Sequence, residues 1–100
     1  MKDMATLMRE QARLIVLKAL AQQVDETLNS DLILPELTKF GIRRDRAWLH
    51  QEMRWLQTMG AVSLIEAGTI LVATLAETGR QHLDRMIAIE GVQRPSRPGA

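Results

Sequence analysis

The spacing of apolar residues shifts from helical to alternating along this chain, and the shift falls at Gly60. Before it, apolar side chains recur every three or four positions, the period of an amphipathic helix. After it, Val62, Leu64, Ile70, Val72 and Thr74 alternate with other residues around Glu66-Ala67-Gly68-Thr69. Alternation interrupted by a glycine is the pattern of a β-hairpin. A chain of 100 residues has room for one domain. That domain must therefore join a helical half to a hairpin, which fixes the class as α+β and mostly helical.

The helical half divides into three elements. Residues 4–22 predict a first helix, with Leu7, Met8, Ala12, Ile15, Ala19 and Leu20 on one stripe. Leu14, Val16 and Leu17 widen that stripe, so the helix is either central or also meets a partner chain. Residues 23–29 read as a polar connection. Asn29, Ser30 and Asp31 then offer caps for a second helix ending near Phe40, with Gly41 as its left-handed stop. Pro35 lacks the N–H of a helix interior, so this helix should be short or kinked at its start. The third helix, Asp45 to Met59, is the clearest. Trp48, Leu49, Met53, Trp55, Leu56 and Met59 form its apolar arc, while Arg46, His50, Gln51, Arg54, Gln57 and Thr58 form the polar one. Glu52 interrupts the apolar arc. A buried carboxylate needs a partner, and Arg13 or another base is expected to reach it in a structural role. Beyond the hairpin, residues 76–90 predict a last helix with Leu83, Met86 and Ile87 turned inward. Residues 1–90 then form the domain. Residues 91–100 form a basic, Pro-rich tail expected to be flexible unless it docks.

Composition removes several function classes. Cysteine is absent, which excludes disulfides, thiolate metal sites and a cysteine nucleophile, and makes a reducing cytoplasm the expected setting. No apolar run reaches the length of a membrane span, and the N-terminus lacks a signal-peptide pattern, so a soluble protein is expected. No Gly-rich phosphate loop, zinc-helix motif or nucleophile elbow occurs. His50-Gln51-Glu52 lacks the paired cysteines of a deaminase. Neither a catalytic residue, a metal site, a cofactor nor a small-molecule ligand is expected, and the chain reads as a non-enzyme. His82 reads as a surface residue.

The net charge of +1 conceals a pattern. Residues 19–36 hold Asp25, Glu26, Asp31 and Glu36 and no base. Residues 37–60 hold Lys39, Arg43, Arg44, Arg46 and Arg54 against Asp45 and Glu52. Positive charge thus gathers from Lys39 to Arg54, just before and along the third helix, and near the two ends of the chain.

Helix, short helix, tight turn, amphipathic helix, hairpin and helix is the order of a winged helix-turn-helix domain. Residues 55–62, with Leu56, Gly60 and Val62, look like the exit from a recognition helix into a wing. Residues 74–80, with Leu75, Gly79 and Arg80, are similar to the lead-in to the final helix of many bacterial winged-helix regulators. More narrowly, nearly the whole chain resembles small winged-helix proteins of Mu-like phages and prophages. The similar points are Arg44-Asp45-Arg46, Glu52 to Leu56, Leu71 to Leu75 and Arg94 to Gly99. The resemblance implies a DNA-binding protein of a bacterial host cell, either a transcriptional regulator or an accessory factor in DNA transactions.

A recognition helix presents its N-terminal residues to base edges in the major groove. Carried onto this sequence, Arg46, His50, Gln51 and Arg54 would read bases, with Ala47 on the same face. Lys39, Arg43 and Arg44 would hold phosphates of double-stranded DNA. A homodimer through the first and last helices would pair two half-sites. Against this, any solvated helix carries a polar face, and the tip around Glu66 to Thr69 lacks the basic residue such wings commonly carry. Arg94 and Arg97 could serve as an arm in its place. The regulatory reading requires that the arginines be claimed neither by the molecule's own acids nor by a subunit contact; otherwise that reading fails and the architecture survives it. The competing use of the fold is non-catalytic protein recognition, suited by six Met residues, the surplus apolar surface on the first helix and the neutral overall charge. In both readings Trp48 and Trp55 are more naturally partly buried core residues than binding anchors.

Overall fold

The computed structural model describes residues 1–97. Four helices pack on a three-stranded antiparallel sheet in the order α1 (Met4–Ala21), β1 (Thr27–Asn29), α2 (Ser30–Lys39), α3 (Arg46–Thr58), β2 (Val62–Ala67), β3 (Ile70–Leu75) and α4 (Glu77–Leu83). The sheet order is β1-β3-β2. This α+β arrangement is consistent with a winged-helix-like layout.

α1 starts where the Asp3 carboxylate accepts the Thr6 N–H at 2.8 Å. Leu14, Ile15, Val16 and Leu17 are all buried, and four consecutive residues span a full helical turn. The helix is therefore enclosed, meeting α2, α3, α4, β1 and β3. Its apolar stripe is consumed inside the protomer from Ala12 to Leu20, while Leu7 near its start stays exposed.

Three helices end in the same way. After α2, Gly41 takes φ +83°, its N–H reaches Thr38 and the Ile42 N–H reaches the Leu37 carbonyl. After α3, Gly60 takes φ +77° and the Ala61 N–H reaches the Leu56 carbonyl. Both are Schellman stops, and both bury the residue after the glycine. The third stop shortens the last helix, expected to run to Glu90. Arg85 takes φ +62°, and the Met86 N–H reaches the Gln81 carbonyl. Because the left-handed residue there is arginine, no glycine marks the end. Met86 and Ile87 are consequently exposed rather than inward, and Ile89 and Val92 enter the core instead.

Two other expectations change. The polar connection holds a short strand, β1, with Thr27, Leu28 and Asn29 opposite Thr74, Ala73 and Val72. α2 is capped by Asn29, whose side chain accepts the Leu32 N–H at 3.0 Å. Pro35 lies in its second turn, on the exposed side, where water can serve the carbonyl it leaves unpaired.

The segment expected to be a flexible tail is held through Pro95. The Arg13 guanidinium donates to the Gly91 carbonyl at 2.8 Å, and the Gln93 N–H to the Glu10 carbonyl at 3.1 Å. Arg85 reaches the Pro95 carbonyl, and Pro95 itself is buried. His82, expected at the surface, is completely buried beneath this segment. Its Nδ1 accepts the Ile89 N–H and its Nε2–H donates to the Gln93 carbonyl, each at 3.0 Å. Arg94 and Arg97 remain exposed. The rest of the tail, residues 98–100, lies outside the described residues.

The expected partner of Glu52 is present. Arg13 Nε donates to its carboxylate at 2.7 Å, and the same guanidinium lies 3.7 Å from the Trp55 ring centroid. One cation thus joins α1, α3 and the tail. Trp48 and Trp55 are both half-buried against the core. Gly79 brings α4 onto the start of β2, since a Cβ there would stand 2.4 Å from the Ala61 carbonyl oxygen. Among the described residues no helix is long and apolar enough to cross a membrane.

Candidate nucleic-acid interface

Asp45 begins α3 by accepting the Trp48 N–H at 2.8 Å. Leu49, Glu52, Met53 and Leu56 turn inward. That rotation leaves Arg46, Ala47, Gln51 and Arg54 exposed and His50 half-buried, with Arg43 and Arg44 exposed in the turn before the helix. On α3 itself Arg46, His50, Gln51 and Arg54 lie outside the buried stripe of Leu49, Glu52, Met53 and Leu56, while Lys39 belongs to the end of α2.

They do not share one state. Arg46 is held by Asp31 at the start of α2, with Nε to Oδ1 at 3.0 Å and Nη2 to Oδ2 at 2.9 Å. Arg54 Nη2 lies 3.0 Å from Oε1 of Glu66, on β2 near the hairpin tip. Lys39 Nζ lies 3.3 Å from Glu36. His50 Nε2 is 3.0 Å from Ser30 Oγ, which also accepts the Leu71 N–H at 3.2 Å. Burial holds the His50 pKa below its ordinary value, helped by the Arg54 and Arg46 charges and opposed by Asp31. Arg44 meets no acid; its guanidinium lies 3.3 Å from Met8 Sδ and 5.6 Å from the Trp48 ring centroid. Among the described residues Arg43 and Gln51 make no side-chain hydrogen bond.

The requirement that α3's arginines escape the molecule's own acids therefore fails for Arg46 and Arg54. A fork-shaped donor set already on a carboxylate is not free for guanine. The face instead forms a row of contacts along α3, from Asp31–Arg46 through Ser30–His50 to Glu66–Arg54, tying the helix to α2 and to β2. Sequence reasoning missed Ser30, Asp31 and Glu66. Asp31 was visible in the charge pattern and Glu66 at the hairpin tip, but only the folded chain brings residues 15 and 12 positions away onto α3.

The strength of these contacts sets what the face can still do. Both ion pairs are exposed, and such pairs are worth roughly 0–1 kcal/mol. A polyanion can compete for the cations, although two carboxylates stay nearby to oppose it. Among the described residues no group of His, Asp or Glu could hold a metal ion. Elsewhere, a groove of about 200 Å³ opens between α1, the end of α2 and the tail, with Ile15, Phe40 and Arg94 in its walls. No family model matches the chain, and no curated protein or solved structure does either.

Proposed function

We propose that this chain is a non-catalytic winged-helix module that grips the backbone of double-stranded DNA, as an accessory factor in the DNA transactions of a Mu-like phage or prophage. The earlier possibility of a sequence-reading regulator is set aside, because Arg46 and Arg54 are engaged on Asp31 and Glu66. The observation that carries the proposal is the exposed Arg43–Arg44 step entering α3, unclaimed by any acid among the described residues. Phosphates need only charge and reach, whereas base edges need free donors in fixed geometry.

The test is fluorescence anisotropy with duplexes of unrelated sequence across a salt series. Binding is expected at low salt, nearly equal for every duplex, and falling steeply as salt rises. Arg43→Ala with Arg44→Ala should abolish it without lowering the melting temperature. Absence of binding at the lowest salt overturns the proposal. That outcome would favour the second reading, a protein-docking module, for which one observation speaks directly: Asp31 and Glu66 make the α3 face nearly neutral. Docking through apolar surface would tolerate the same salt series.

A further inference from the structure

The tail carries Arg94 on a backbone that is fixed on both sides of it. The Gln93 N–H donates to the Glu10 carbonyl, and the Gln93 carbonyl accepts from His82. Pro95 is buried, and its carbonyl is held by Arg85. Arg94 between them is exposed and meets no acid among the described residues. It lines the groove of about 200 Å³ between α1 and the end of α2, together with Lys18 of α1, which is also exposed and also unpaired among the described residues. Two cations from separate segments thus border one small space.

The floor of that space is apolar. Leu14, Ile15 and Ala19 supply it, and Phe40, 59% exposed after the last turn of α2, forms part of the wall. Phe40 is the chain's only phenylalanine, and it leaves much of its ring in water rather than in the core. Gln11 and Gln22 add carboxamides that bond to nothing else among the described residues. The single acid in the walls, Glu36, is taken by Lys39 at 3.3 Å. None of these lining residues belongs to α3 or to the sheet.

We propose that this groove binds a small aromatic carboxylate, one planar ring bearing one anionic group. Size, shape and charge each narrow the class. An apolar cavity of about 150 Å³ is enough to hold benzene. The groove's volume of about 200 Å³ admits one ring and a carboxylate, short of the roughly 300–1,000 Å³ that drug-sized ligands occupy. The ring lies on Leu14 and Ile15 against Phe40, where an offset-stacked or edge-to-face pair is favourable. The carboxylate meets Lys18 and the guanidinium fork of Arg94, whose paired N–H groups match its two oxygens. Glu36, close by although paired, opposes an anion of higher charge such as a phosphate ester. A ligand in this position joins α1, the end of α2 and the tail, and therefore stabilises the docked tail by mass action.

Benzoate, benzamide and acetate, titrated into the isotope-labelled full chain and followed by amide chemical shifts, test this. Benzoate should saturate with a dissociation constant on the order of 0.1–1 mM. The shifts should gather in residues 11–22, 36–40 and 93–96, which line the groove. Benzamide, which keeps the ring and loses the charge, should bind at least about tenfold more weakly. Acetate, which loses the ring, should give no saturable shift. Lys18→Met with Arg94→Met should weaken benzoate binding at least about tenfold, and Phe40→Ala severalfold. All three side chains are exposed, so the ligand-free variants should melt as the wild type does. Arg43→Ala with Arg44→Ala should leave benzoate binding unchanged, which separates this site from the surface proposed to meet DNA. Absence of saturable shifts up to about 10 mM benzoate overturns the proposal. So does equal binding of benzamide, or undiminished benzoate binding once Lys18 and Arg94 are both replaced.

Discussion

Two arginine–carboxylate pairs show how little the chemistry of a contact says about its weight. Arg13–Glu52 and Arg46–Asp31 have closest distances of 2.7 and 2.9 Å. The first pair is 12% and 5% exposed, the second 43% and 48%. Removing one partner of a buried pair strands a charge where water cannot reach it, at a cost of about 3–5 kcal/mol. Removing one partner of an exposed pair returns the other to solvent for roughly 0–1 kcal/mol. The buried pair organises the fold. The exposed one adjusts what the α3 face presents.

The largest expected effect breaks the buried side of this contrast. Glu52→Ala should lower unfolding stability by about 3–5 kcal/mol in denaturant titration. Arg46→Ala, in the same assay, should change it by no more than about 1 kcal/mol. Similar losses for the two variants would erase the distinction.

An intermediate effect sharpens the functional side. Asp31→Asn with Glu66→Gln frees Arg46 and Arg54 without removing a cation. Duplex binding should tighten severalfold and its salt dependence steepen, because more cations become available to phosphates. Unchanged affinity would mean that the acids do not govern this face.

The smallest expected effect concerns His50, which lies between the two exposed pairs. Its pKa is depressed on folding, so the unfolded chain takes up the proton first. The stability it contributes is complete above the ordinary value of 6.5 and is lost as pH falls through the lowered one. Wild-type melting temperature should therefore fall slightly more than that of His50→Asn between pH 7.5 and 5.5, compared in parallel melts.

What the sequence revealed and what it hid follow the same physical division. α1 was legible from its period alone, and α3 and the hairpin from period together with a glycine, Gly60 closing the helix and Gly68 turning the hairpin. Arg13–Glu52 was legible in outline, since an acid within an apolar arc must find a base. The end of α4 was not, because arginine at position 85 adopts a conformation usually marked by glycine. β1 was hidden by having three residues and one aliphatic side chain. Docking of the tail depends on His82, whose partners Ile89 and Gln93 become neighbours only after Arg85 reverses the chain. At the candidate site the cationic residues were legible and their ownership was not. Local spacing places an arginine on a helix face, but tertiary packing decides which carboxylate arrives beside it.

The fastening of Gly91 by Arg13 has a practical bearing on how this module can be cut and joined. Trimming at residue 90, where the composition suggests a boundary, would take the Gly91 acceptor from Arg13, Val92 from the interior and the Gln93 acceptor from His82. The smallest unit worth expressing or grafting onto another protein therefore extends at least through Pro95, and a cleavage site or fusion joint placed earlier would loosen the anchor of Glu52 from the far end of the chain.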